Sequence, residues 1–245
     1  MNVADLKANL ETWSQYDWSK GGEEWSSAWG SSDALWHKVL LPRIERYVPA
    51  DAVLEIAPGH GRMTHYLSGI AKRLSIVDMV PACIDACRKR FADKPHIAFF
   101  VNDGKSLDCI SDNSVDFVFS FDSLVHAEAD VIDAYVRQLS RKMTPHAAGF
   151  IHHSNLGAYN ALLNKWIFGK PTHFRARSMR AELFVKSCRN AGLVCTHQEL
   201  INWGGEQLSD CFSTFTREGS RFAEKFSIVE NPHFMADAHR IAAGK

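Results

Sequence analysis

The sequence predicts an α/β fold built on a mostly parallel sheet, and three observations carry that reading. Short, nearly all-apolar runs recur from Val53 onward, as strands covered by helices on both faces require. Amphipathic stretches alternate with them, which is the pattern of strand–helix–strand units. The first run ends in a glycine-rich turn that opens a helix, the usual ligand edge of an open parallel sheet. The chain has 245 residues, 46% of them hydrophobic, with 15 Phe and 7 Trp, which is ample for a buried core. Lys+Arg and Asp+Glu both number 28, so formal net charge is zero. The basic excess of a nucleic-acid binder is missing, and no nucleic-acid partner is expected.

The elements follow in order. Residues 1–50 read as a Trp-rich helical cap of two or three helices, holding Trp13, Trp18, Trp25, Trp29 and Trp36. Trp25, Trp29 and Trp36 fall at spacings of four and seven, as on one helical face. Gly30 breaks the run, and Asp33 is placed to cap a new helix from Ala34. Such rings either anchor the segment to the sheet or line a ligand site. Residues 51–220 read as the main domain. Its strands are AVLEIA, RLSIVD, HIAFFV, VDFVFSF and AAGFIHH, and its helices are MTHYLSGIAKRL, VPACIDACRKRFA and ADVIDAYVRQLSRKM. A mixed segment then carries Lys165, Lys170, Arg175, Arg177 and Arg180. RAELFVKSCRNAGL is a helix stopped by Gly192, and VCTHQELINW and DCFSTFTRE pair through Gly204-Gly205. Residues 221–245 read as a C-terminal tail.

No CxxC pair occurs among the six cysteines, and Cys83 and Cys87 sit one turn apart as small hydrophobes on a helix. The N-terminus MNVADLKANLETW has no basic and apolar leader, and no apolar run reaches membrane-spanning length. The expectation is a cytoplasmic protein with reduced thiols and no membrane partner.

The sharpest motif is VLEIAPGHGRMTHYL, Val53 to Leu67. Gly59 and Gly61 let backbone approach a ligand, and Asp78, ending the next strand, can accept both hydroxyls of a ribose. The third glycine of a dinucleotide fingerprint is missing, as is the Gly-Lys-Ser/Thr of a P-loop. Asp103, in FFVNDG at the third strand tip, can accept a bond from an adenine amino group. In this order these residues resemble the class I S-adenosylmethionine-dependent methyltransferases. VLEIAPGHG looks like their first motif, with Ala57 where its first glycine stands; IVD looks like the second, VNDG the third and VDFVFSFDSLVHAE the fourth. The resemblance runs from about Val53 to Arg217. It implies a Rossmann-like three-layer sandwich, with a mostly parallel seven-stranded sheet, an antiparallel last strand and the N-terminal helical cap. It implies S-adenosyl-L-methionine as cofactor. Glu55, Ala57, Gly59 and Gly61 would surround its methionine part, Asp78 its ribose, and Asp103 with Gly104 its adenine; Met79 and Phe121 complete the set. An NAD-dependent oxidoreductase, or a non-catalytic protein on the same nucleotide fold, shares part of the pattern.

AAGFIHHSNLG ends the fifth strand in two adjacent histidines. Side chains alternate along a strand, so His152 and Ser154 face one way and His153 and Asn155 the other. One histidine should reach the pocket and the other should lie hydrogen-bonded under a helix. A hydroxyl acceptor must lose its proton as it attacks, and histidine suits that task. His126, after the fourth strand, is the first candidate base, followed by His153 and His152; Asp122 could orient a histidine or the acceptor. A divalent metal held by Asp122, His126, one of the paired histidines and Asp210 is the other reading, but magnesium prefers oxygen ligands and no metal is favoured. The pattern looks like bacterial small-molecule O-methyltransferases acting on a sugar or natural product, with an N-methyltransferase as the alternative. Oligomeric state is not legible.

Overall fold

The computed structural model describes residues 5–159 and 175–244. The expected apolar runs form strands: β1 (Ala50–Ile56), β2 (Ala71–Asp78), β3 (Ile97–Val101), β4 (Val115–Ser120), β5 (Met143–Ser154), β6 (Leu193–Ile201) and β7 (Asp210–Arg217). An eighth, β8 (Ser227–Asn231), completes one sheet in the order β3-β2-β1-β4-β5-β7-β6-β8. The first five strands pair in parallel, and β7 is antiparallel to both β5 and β6. The sheet therefore has eight strands where seven were expected. The extra one comes from the stretch read as a tail, and it adds to β6 in parallel, Gln198 opposite Ile228.

Alternation along each strand explains the three layers. Val53, Phe117, Phe119 and Phe150 point into one apolar core; their neighbours Leu54, Val118 and Ile151 point into the other. The first core is closed by α4 (Thr64–Ile70), α5 (Pro81–Arg90) and the cap; the second by α6 (Ala129–Lys142) and α7 (Ala181–Asn190). The helix expected from Met63 ends at Ile70, because Ala71 to Leu74 are drawn into β2 by pairing with β1.

The cap consists of α1 (Leu6–Gln15), a 3-10 stretch at Glu23–Trp29, and a helix that runs through α2 (Ser32–Leu35), a π turn at Trp36–Leu40 and α3 (Leu41–Ile44). Ser31, not Asp33, caps α2: its hydroxyl accepts the Ala34 N–H at 3.0 Å. Trp29 and Trp36 are buried in the first core, so they are anchors. The C-terminal helix α8 (Phe234–Ala242) packs on the same core through Phe234 and Ala238. Among the described residues, no helix is long and apolar enough to cross a membrane. Lys165 and Lys170 lie outside the described residues.

Candidate active site

The carboxyl ends of β1, β2 and β4 open into a cavity of about 750 Å³, roofed by the cap. That volume falls within the usual range for small-ligand pockets. Glu55, Ala57, Gly59, Asp78, Met79, Gly104, Phe121, Asp122 and His126 all line it. Gly61, Asp103, His152 and His153 do not.

The glycine turn is held open by backbone geometry. Ala57 sits at φ 58° and Gly59 at φ 57°, both left-handed. Ala57 N–H donates to Val77 O at 2.7 Å, and its own carbonyl accepts the Ser123 hydroxyl at 2.7 Å. The tips of β1, β2 and β4 are thereby tied together. A Cβ at Gly61 would stand 2.5 Å from the Phe91 ring, so this glycine serves helix packing rather than the cavity. An L-residue pays for the left-handed conformation at Ala57. Ala57→Gly should therefore stabilise the protein by about 1 kcal/mol, read as a higher urea midpoint, and leave ligand binding intact.

Two buried carboxyls face this turn. Burial pushes Asp78 up to about 6, although it accepts N–H bonds from Val80 at 2.9 Å and Gly59 at 3.1 Å. Burial pushes Glu55 up to about 8; the Thr64 hydroxyl, donating at 2.5 Å, opposes this only in part. Each Asp78 oxygen holds one N–H and keeps a second lone pair for a ligand hydroxyl. Asp103 behaves differently. It is exposed, and its Oδ1 accepts Lys105 N–H at 2.9 Å and Ser106 N–H at 2.6 Å. It closes its own loop, and Gly104 reaches the cavity instead.

At the β4 tip, Asp122 adopts φ 59°, which an Asp tolerates better than most residues. Its carboxylate takes a 2.9 Å salt bridge from Arg62, whose other arm donates to Ser26 of the cap at 2.7 Å. Both partners are nearly buried. His126 follows in a short 3-10 turn. This residue lines the cavity; its ring lies 5.0 Å from the Trp13 ring, and its carbonyl accepts from Asn9 Nδ2 at 2.8 Å. Thus α1 is fastened across the site through the residue that carries the imidazole.

The paired histidines take separate places. Asp122 N–H donates to His152 Nδ1 at 3.2 Å, so Nε2 carries the proton and donates to Asp210 Oδ2 at 3.0 Å. Asp210 is fully buried and also holds Arg175 at 2.7 Å. Burial would raise its carboxyl, but Arg175 and the His152 bond outweigh this and hold it below the usual range. His152 thus has no nitrogen left for a substrate proton. His153 turns to the opposite face and stacks on Phe184 of α7 at 4.8 Å. Its Nδ1–H donates to Ser154 O at 2.9 Å, Nε2 accepts from Ser213 at 2.8 Å, and burial pushes it down to about 4. Of the three candidate histidines, only His126 reaches the cavity.

Three of the groups of the metal alternative are spent on other partners or turned away. Asp122 is engaged by Arg62, Asp210 by His152 and Arg175, and His153 lies on the other face. Among the described residues, no group of three or more His, Cys, Asp or Glu side chains is arranged to hold a metal ion.

Sequence reasoning missed Arg62, whose partner Asp122 lies 60 positions away with no local signature. It left Trp13, Trp18 and Trp25 open between anchor and lining, and all three line the cavity. Trp18 stacks on His60 of the glycine turn at 4.5 Å. Trp203 and Arg175, from the far end of the chain, complete the wall.

A family model described as a methyltransferase domain matches residues 53–146. No curated protein matches the sequence. Solved structures share the fold at low identity. A protein of Pyrococcus horikoshii OT3 superposes with a TM-score of 0.55 at 18% identity, over 74% of this chain and 89% of that one. The N-methyltransferase NodS of Bradyrhizobium japonicum WM9, solved with S-adenosyl-L-homocysteine, gives 0.54 at 17%, over 87% and 96%. A methyltransferase of Haloferax volcanii, solved in complex with the activator Trm112, gives 0.56 at 17%, over 81% and 95%. The fold is the Rossmann-like methyltransferase fold, and with the domain match it supports an S-adenosylmethionine-dependent methyltransferase.

Proposed function

We propose that this protein transfers a methyl group from S-adenosylmethionine to a hydroxyl of a small acceptor, with His126 as general base. The observation that carries the reading is the placement of His126. It is the one candidate histidine that lines the cavity; His152 and His153 do not. The residues present fit the cofactor. Gly59 and Ala57 hold the turn open, Asp78 offers a carboxylate for paired hydroxyls, and Met79 and Gly104 supply the adjoining wall.

When bound, S-adenosylmethionine supplies an electrophilic methyl: its carbon–sulfur bond breaks as the carbon–oxygen bond forms, the bonding pair stays on sulfur, and the hydroxyl proton passes to the His126 imidazole. The chain does the rest. Trp13 and the Asn9 bond hold the His126 turn in place. Arg62 neutralises Asp122 and fixes the β4 tip, and the cap shields the site from water, so much of the rate would come from alignment.

The test is transfer of a labelled methyl to a panel of small hydroxylated and amine acceptors, with the modified atom identified by NMR. Oxygen-methylated product supports the reading. Product methylated only at nitrogen, with His126→Ala fully active at high pH, moves the protein to N-methyl transfer, because a free amine needs no protein base above its own pKa.

A further inference from the structure

We infer that the acceptor presents its hydroxyl on a planar aromatic ring that carries no positive charge. The inference rests on the methyl-transfer reading above and assigns the acceptor half of the same cavity. Two aromatic walls line that half. On the cap side, Trp13 packs 5.0 Å from the His126 ring and 6.3 Å from Trp25. On the sheet side, Phe121 and Trp203 lie 6.0 Å apart, and the Arg175 guanidinium sits 5.5 Å from the Trp203 ring centre. All of these groups line one cavity.

Trp203 does not have the setting of a loose surface ring. Trp29 at 5.2 Å, Phe234 at 5.9 Å and His152 at 5.1 Å back it from the core. Rings backed by the core and a guanidinium over the Trp203 ring favour a flat partner, by offset or edge-to-face contact with the rings. The charges point the same way. Arg62 is matched by Asp122 at 2.9 Å and Arg175 by Asp210 at 2.7 Å, so each pair is neutral in itself. Arg177 lines the same cavity, and among the described residues no carboxylate of this half is left to hold a cationic acceptor. The two carboxyls without a cation, Glu55 and Asp78, belong to the glycine turn and the cofactor half. An aryl hydroxyl also gives up its proton far more readily than an alkyl one, which suits an imidazole base.

The test uses the full-length protein loaded with S-adenosylhomocysteine. Phenol, cyclohexanol and choline, matched in size, are titrated in by ligand-observed NMR. The expected result is phenol binding about tenfold more tightly than cyclohexanol. That preference should vanish in Trp13→Leu and survive in Trp13→Phe, which keeps a ring. Equal affinity for phenol and cyclohexanol overturns the inference and leaves methyl transfer standing, as does tighter binding of choline than of either. Failure of the protein to take up S-adenosylhomocysteine overturns the functional reading itself, and this inference with it.

Discussion

His126→Ala should lower kcat for methyl transfer by about a hundred- to a thousand-fold, the usual contribution of a positioned general base. The loss should be largest near neutral pH and shrink as rising pH deprotonates the acceptor in solution. Affinity for S-adenosylhomocysteine should stay within about threefold, because the groups that fit the cofactor lie at β1, β2 and the Gly104 loop. His153→Ala provides the contrast. That side chain is stacked on Phe184 and bonded to Ser213 on the opposite face of the sheet. Removing it opens a cavity in a buried layer and should cost about 2–4 kcal/mol of stability, while the folded fraction keeps its kcat. Steady-state kinetics over a pH series, with urea unfolding of both variants, separates the two roles. Equal loss of kcat in both variants would remove His126 from its assigned place.

The second large effect is a pH dependence of stability from Glu55. The carboxyl is buried, and its pKa rises from 4.5 to about 8 on folding. The folded state then holds the proton more tightly than the unfolded one. Its contribution to stability is complete below about pH 4.5, declines as pH rises, and is lost by about pH 8. Glu55→Gln keeps the shape and an oxygen for the Thr64 hydroxyl but cannot ionise. In the ligand-free protein the variant should gain on wild type by on the order of 4 kcal/mol between pH 5 and pH 9. Urea midpoints at the two pH values read this directly. Asp78, raised to about 6 by the same burial, adds a smaller loss at lower pH that both proteins share. Parallel slopes for wild type and variant would show that Glu55 is ionised in the folded state throughout.

The fold was legible because its signals are local. Nearly continuous apolar runs announce strands buried on both faces, and the glycine turn marks where the first strand meets a helix. The eighth strand escaped because its side chains are mostly exposed: Ile228 and Val229 are about half accessible, so no buried-strand pattern marks Ser227–Asn231. At the cavity, strand order alone placed several lining residues: Glu55 and Asp78 at strand tips, His126 after the fourth. Alternation also anticipated that His152 and His153 would part company. It could not say that neither would line the cavity, or that His152 would be tied up by Asp122 and Asp210, because those bonds span 30 and 58 positions. Asp103 sits where expected in the chain, and its carboxylate accepts the backbone N–H groups of Lys105 and Ser106 in its own turn. The Arg62–Asp122 bridge and the Trp203–Arg175 wall are products of tertiary packing, with no spacing that could announce them.

Calorimetry of the purified protein with S-adenosylhomocysteine and, separately, with NAD tests the cofactor assignment directly. The expected result is micromolar binding of S-adenosylhomocysteine, weakened about ten- to a hundred-fold in Asp78→Ala, and no binding of NAD. Binding of NAD without S-adenosylhomocysteine would contradict it, and the cavity would then have to be read as a dinucleotide site.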